Sequence, residues 1–410
     1  MAKALPPLIL LAISQASSIL SLLFLLNQLA PDDAGRLTSG LTVQGYAVLV
    51  GGLGLRTILV REVARTPEKL SQLLATSTRM TSVSGLLAGG ASVFFSALFL
   101  GGNADEHSMQ FWLACGAWFS TITPAPFVDA IQKQMASLAI VACTELLALL
   151  ALISGFMPIN LPVIGAIFAF KWALAGIAHG VFLFLHGIRW TNPHSSSYRT
   201  QLAITAFPLM LTSIVSSLPI AGSVILVRRV YGVESASVTG LAAQVATAYL
   251  LIAGVAFRHV QPQLRNADDL RDPVRRRYVL NVAWLLVGIW LATMLAVWGL
   301  VHWGLPPIYR EHLEVIAALC VSGLLGAAAY LGWAILLSLD CERSILLSYL
   351  GGTVIFLASS GALYRSGPFG IALASCFGTG ATVLLMTHFH NRKLLKIRRA
   401  TVNPTARRWP

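Results

Sequence analysis

The chain has 410 residues, of which 56% are hydrophobic and only 11% charged, and its mean hydropathy is +0.74. A soluble domain carries about 25% charged residues, so this composition excludes a soluble globular protein and indicates a polytopic membrane protein. The net charge of +13 reflects basic residues gathered on one side of the membrane, so the basic character gives no reason to infer nucleic-acid binding.

In chain order, twelve apolar runs reach the roughly 20 residues that a bilayer core demands. They fall at 7–29, 41–60, 81–101, 110–128, 136–157, 161–187, 202–227, 237–257, 279–302, 313–339, 344–364 and 368–388. The first is longer than a signal-peptide core of about 7–15 residues and reads as a retained span. All twelve are expected to be helices, because a lipid-facing segment must satisfy its own backbone and these runs lack the alternation of a transmembrane barrel. The stretches 61–80 and 258–278 are the largest expected loops on the basic side, the first lying partly as a short amphipathic helix at the interface. Five cysteines without C-x-x-C spacing suggest neither a disulfide framework nor a metal site.

Charge orients the array. Twenty-three of the 29 basic residues, including Arg56, Arg61, Arg65, Arg258 and the tail 391–410, fall on the side of both termini, against five on the other side. The positive-inside rule makes that side cytoplasmic. The polybasic tail can also touch anionic headgroups.

The two halves echo one another. Pro7-Leu8-Ile9-Leu10-Leu11-Ala12-Ile13 aligns with Pro208-Leu209-Met210-Leu211-Thr212-Ser213-Ile214. Ser39-Gly40-Leu41 with Gln44 aligns with Thr239-Gly240-Leu241 with Gln244. We therefore expect an all-α membrane protein with six helices in 1–200 and six in 201–390, related by a pseudo-two-fold axis. Duplicated halves of this kind are a common scaffold for alternating access, with the substrate path between them. Gln44 and Gln244 are expected to face each other across that path.

Few polar groups lie deep in the spans. Lys171 is the basic residue well inside one, roughly 15 Å from the external end of span 6, and Glu145 lies roughly 18 Å below the external end of span 5, at 1.5 Å per residue. A tight turn joins these spans, so the two side chains are expected to be level and to pair, which relieves the cost of an isolated charge in lipid. The pair reads either as a functional site, with Lys171 contacting substrate and Glu145 tuning it or carrying a coupling proton, or as a static brace. Gln15, Gln44 and Gln244 add amides, and Ser14, Ser17, Ser18, Ser213, Ser216 and Ser217 add hydroxyls. Arg56 is a candidate at the inner end of span 2, set against the common habit of such arginines to snorkel to headgroups. His179, His186, His388 and His390 have no converging partners in sequence, and Asp129 with Lys133 reads as a helix-end pair.

The stretch Leu29-Ala30-Pro31-Asp32-Asp33-Ala34-Gly35-Arg36-Leu37, then Gly54-Leu55-Arg56 and Arg61-Glu62-Val63-Ala64-Arg65, resembles the amino-terminal signature of the polysaccharide-biosynthesis (Wzx-type) flippases. Arg228-Arg229-Val230-Tyr231-Gly232-Val233-Glu234 repeats the external-turn pattern. That family belongs to the multidrug, oligosaccharidyl-lipid and polysaccharide exporter (MOP) superfamily, and the resemblance implies a MATE-like fold. It implies a flippase of the bacterial inner membrane that moves a polyprenyl-diphosphate-linked oligosaccharide to the outer leaflet for cell-surface polysaccharide synthesis. It also implies a cationic cavity, with Lys171, Arg56, Gln44, Gln244 and Gln15 as substrate contacts and Arg61, Arg65 and Arg258 at the inner mouth. Pathway polymerases and glycosyltransferases are the implied partners. No cofactor is expected, and H+ or Na+ is the candidate coupling ion.

The alternative is a cation-coupled drug or small-molecule exporter of the same superfamily, which would carry acidic residues in the first half; Glu145 is the mid-span acid here. A membrane enzyme would be expected to bring a large external loop or an Asp-x-Asp site, and neither is present. The sequence has no G-x-x-x-x-G-K-[ST] motif, so direct ATP coupling is not expected.

Overall fold

A computed structural model describes residues 5–131, 133–260, 273–338 and 341–402. Its helices are α1 Leu5–Gln28, α2 Pro31–Gly51, α3 Leu55–Arg65, α4 Leu70–Phe95, α5 Ala104–Ile122, α6 Ala125–Ala130, α7 Gln134–Ile153 and α8 Leu161–Leu185. They continue as α9 Ser196–Ser217, α10 Ser223–Tyr231, α11 Val233–Val260, α12 Pro273–Trp303, α13 Pro307–Glu311, α14 Leu313–Ser338, α15 Glu342–Leu363 and α16 Gly367–Val402. The protein is an all-α, multi-pass membrane protein.

Local chemistry sets the helix starts. α2 opens on Pro31 with Asp32 and Asp33 in its first turn, where a missing N–H costs nothing and acids complement the helix dipole. Asn103 caps α5 by accepting from the Glu106 N–H at 2.9 Å, and Asn160 caps α8 by accepting from the Val163 N–H at 3.1 Å. Hydropathy alone marks the spans of α1, α4, α7, α8, α9 with α10, α11, α12, α14, α15 and α16 as able to cross a membrane. α2 and α5 fall outside that set among the described residues because they carry polar faces, which the bundle buries: Thr38, Ser39, Thr42 and Gln44 on α2, Glu106 and Gln110 on α5.

Two expectations are corrected. Span 2 is not continuous: it breaks at 52–54, where Leu53 and Gly54 take φ of 51° and 67°. At Gly54 a Cβ would lie 2.6 Å from the Met210 N and 2.8 Å from the Ala206 O, so this turn needs glycine to let α9 approach. The stretch 61–80, expected as a loop lying partly as a short amphipathic helix, is helical almost throughout. α3 runs to Arg65, a single 3₁₀ turn at Pro67–Lys69 follows, and α4 begins at Leu70. Its polar residues fit a helix because they bond to their surroundings. Ser77 Oγ donates to the Leu74 O at 3.1 Å, and Thr76 Oγ1 accepts from the His194 N–H at 2.8 Å. The counterpart at 258–278 falls largely outside the described residues.

Helices before α9 pack chiefly among themselves, as do those from α9 onward. The two sets meet along α2 and α11, with α1 against α11 and α3 against α9 as secondary contacts. Successive spans alternate in direction, so we distinguish the face bearing both termini (the terminal face) from the opposite, distal face. At the distal ends of α2 and α11 the helices nearly touch. A Cβ on Gly35 would lie 1.8 Å from the Val233 O, and one on Gly240 would lie 2.2 Å from the Thr38 Cβ. Thr38 Oγ1 donates to the Ala236 O at 3.1 Å across this seam.

Candidate functional site

α7 and α8 are antiparallel neighbours joined by the short connection 154–160, and this brings the two expected charges together. Lys171 Nζ donates to Glu145 Oε1 at 2.9 Å, and both residues are 7% exposed. The ammonium also lies 4.8 Å from the centroid of the Phe168 ring and 5.3 Å from that of Trp172. Aromatic faces stabilise a desolvated cation, so Lys171 is held on three sides.

The pair forms part of the wall of a central cavity of about 590 Å³ enclosed by both sets of helices, a size within the usual range of ligand pockets. Gln15 from α1, Gln44 from α2 and Gln244 from α11 all line it. So do Ser14, Ser18, Ser213, Ser216 and Ser217, whereas Ser17 turns back to donate to the Ile13 O at 2.8 Å. Ser14 Oγ and Gln44 Nε2 are buried without a hydrogen-bond partner among the described residues. Groups in that condition cost free energy until something bonds to them.

Lys171 and Glu145 are the charged residues among those lining the cavity, so its formal charge is zero and not the positive one that the resemblance implies. The rest of the polar wall is amide, hydroxyl and aromatic. Tyr46, Trp172, Tyr330 and Tyr349 line it, together with Ser120, Thr247, Thr379 and Thr382. None of these was marked by sequence pattern, since an isolated Tyr or Thr in an apolar run looks like core or interface until the bundle is assembled.

Other candidates lie elsewhere. Arg56 does not line the cavity. Its Nη2 donates to Asp129 Oδ2 at 2.8 Å, with 59% of its side chain exposed at the terminal end of the bundle. Asp129 thus pairs with Arg56, where sequence spacing had suggested Lys133. The side chains of Arg61, Arg65 and Arg258 lie outside the described residues. His179 is fully buried between α7 and α8. Its Nδ1 lies 2.7 Å from the Ala175 O and must carry a proton to bond there, which leaves the neutral ring's Nε2 to accept from Ser137 Oγ at 3.1 Å. Among the described residues no group of His, Cys, Asp and Glu could hold a metal ion.

No family model and no curated protein matches the sequence. The fold is nonetheless shared with solved transporters. The chain is similar to an inward-facing multidrug resistance MATE family transporter of the MOP superfamily, with TM-score 0.72 and 12% identity, covering 97% of this chain and 99% of that one. The eukaryotic MATE transporter AtDTX14 aligns with TM-score 0.69 and 12% identity over 97% of this chain and 98% of its own. A third likeness is to a MOP superfamily transporter from Pyrococcus furiosus Vc1 (DSM3638), for which reverse polarity of the binding pocket suggests a different function. Its TM-score is 0.59 and its identity 14%, over 96% of this chain and 94% of that one. The chain therefore has a MATE-like fold.

Proposed function

We propose that the protein is a flippase for a polyprenyl-diphosphate-linked oligosaccharide, with the terminal face cytoplasmic in a bacterial inner membrane. The observation that carries this reading is the set of polar groups set into a largely aliphatic cavity wall: one ammonium, one carboxylate to balance it, and amides, hydroxyls and aromatic rings. A sugar headgroup is rich in hydroxyls and has apolar ring faces. Gln15, Gln44, Gln244 and the serines can exchange hydrogen bonds with the former, and Trp172 and the tyrosines can stack against the latter. Lys171 is the group that meets the diphosphate. The cargo competes with Glu145 for it, and Glu145 then becomes the candidate to take up a coupling proton.

The alternative, a cation-coupled drug exporter, draws support from the multidrug transporters that share the fold. A cationic drug needs an uncompensated acid in the cavity, and Glu145 is already bound to Lys171. The deciding experiment is reconstitution of the full chain in liposomes. A fluorescent polyprenyl-diphosphate sugar should cross between leaflets, and ethidium should not. Ethidium transport without sugar movement would select the exporter.

A further inference from the structure

The distal seam is closed by charges that belong to both sets of helices. Glu106, at the start of α5, is 1% exposed, and Arg228, in the last turn of α10, is 5% exposed. Arg228 Nη2 lies 2.7 Å from Glu106 Oε1 and also donates to the Leu100 O at 3.1 Å, at the distal end of the α4 segment. Arg36, on α2, approaches Glu106 Oε2 at 3.6 Å with its Nε and holds Asp33 Oδ1 at 3.1 Å with its Nη1. One arginine of the second set thus grips two elements of the first, a few residues from the Gly35–Val233 and Thr38–Ala236 contacts.

The cluster is closed but incompletely satisfied. The approach of Arg228 to Glu106 falls outside hydrogen-bond geometry, so both Glu106 oxygens, together with Arg228 Nε and Nη1, are buried without a hydrogen bond among the described residues. Buried groups in this state lose hydration that water would restore if the seam parted. A contact of that kind is suited to switching, because the open state recovers by solvation part of what the closed state gains by pairing. The cavity begins immediately behind the seam: it is lined on α2 from Leu41 and on α11 from Ala243.

We propose that Glu106, Arg228 and Arg36 form a latch holding the distal ends of the two halves together, and that rupture of the Glu106–Arg228 contact accompanies opening of the cavity to the distal face. The latch rests on the chain working as an alternating-access transporter, not on what the cargo is.

The test reads distance, so an error about the cargo leaves it intact. Spin labels are placed at Ala104→Cys and Glu234→Cys, exposed positions on the distal ends of the two halves, in the full chain with its native cysteines replaced and in lipid nanodiscs. Electron–electron resonance should give one short separation when the latch is unaltered. Glu106→Gln and Arg228→Gln should each raise the fraction at longer separation several-fold, because the first leaves Arg228 without a carboxylate and the second leaves Glu106 with only the longer contact to Arg36, which lies in its own half. Glu106→Gln combined with Arg228→Met removes both charges and should return the short separation. Unchanged distances in the single variants, or a double variant as open as the singles, would overturn the proposal. If a single variant does not fold, Glu106→Asp takes its place: it withdraws the carboxylate by one methylene, and an unshifted distribution would again overturn it.

Discussion

Lys171 and Glu145 stand 26 positions apart in sequence and 2.9 Å apart in space, joining α7 to α8 at the wall of the central cavity. Their joint burial makes the pair sensitive to the loss of one member and tolerant of the loss of both. Removing one partner of a buried pair typically costs about 3–5 kcal/mol, whereas replacing both by apolar groups can be neutral.

Replacing Lys171 therefore separates the two roles of the pair. Lys171→Ala should abolish glycan export with the protein still inserted, and Lys171→Arg should keep part of it. Glu145→Gln should lower thermal stability if Glu145 only balances Lys171, and should stop transport with normal expression if it carries a proton. Full export by the double variant Glu145→Gln with Lys171→Met would reduce the pair to a brace.

The amides make a second test. Gln44→Leu and Gln244→Leu should each reduce transport several-fold while changing stability by less than about 1 kcal/mol, since polar contacts between membrane helices average about 0.6 kcal/mol. Thermal denaturation and flipping are measured on the same sample. A loss of stability with full transport would make these residues structural.

Gly35 should tolerate no side chain. A Cβ there meets the Val233 O at 1.8 Å, and overpacking of this kind costs about 1–3 kcal/mol. Gly35→Val should lower the melting temperature and part the distal seam, an effect visible as new accessibility of Thr38→Cys to a maleimide. Persistent protection of that cysteine would show that the seam closes by other contacts.

At Arg56 the expected effect is small. The Arg56 side chain is more than half exposed although Asp129 is not, and ion pairs open to solvent contribute about 0–1 kcal/mol. Arg56→Gln should leave both melting temperature and transport near the parent values. A transport defect with an unchanged melting temperature would return Arg56 to the substrate path.

Topology gives a further check. A cysteine at Asn103 should react with an impermeant maleimide in intact cells, and one at Asn266 should not. The reverse pattern would invert the proposed orientation of the terminal face.

Most spans were legible because hydropathy and length report directly on a bilayer-crossing helix, α2 with its polar face being misplaced by about ten residues, and the meeting of Lys171 with Glu145 followed from counting turns down two spans joined by a tight connection. Gln44 and Gln244, aligned with one another in the sequence, both line the cavity. The break at Gly54 could not be read from the sequence, because it exists to admit Ala206 and Met210 from a helix 150 residues away. Arg228 read as an ordinary external-turn residue for the same reason: its burial, with that of Glu106, comes from contacts between α10 and helices more than 100 residues earlier, which no local window contains. The aromatic wall was hidden in another way. Tyr46 and Tyr349 become cavity residues through the rotation of their helices, and four-residue spacing in a uniformly apolar run leaves that rotation undetermined.

The balanced charge of the cavity also bears on energetics across the membrane. An empty carrier whose internal charges cancel moves no net charge when it resets, so a transmembrane voltage does not bias that return. A loaded carrier moves the charge of its cargo, and each elementary charge crossing the full field is worth about 2.3 kcal/mol per 100 mV. Under the proposed reading, with the cell interior negative, an anionic diphosphate travelling outward would be driven by the voltage itself, in addition to any proton taken up at Glu145.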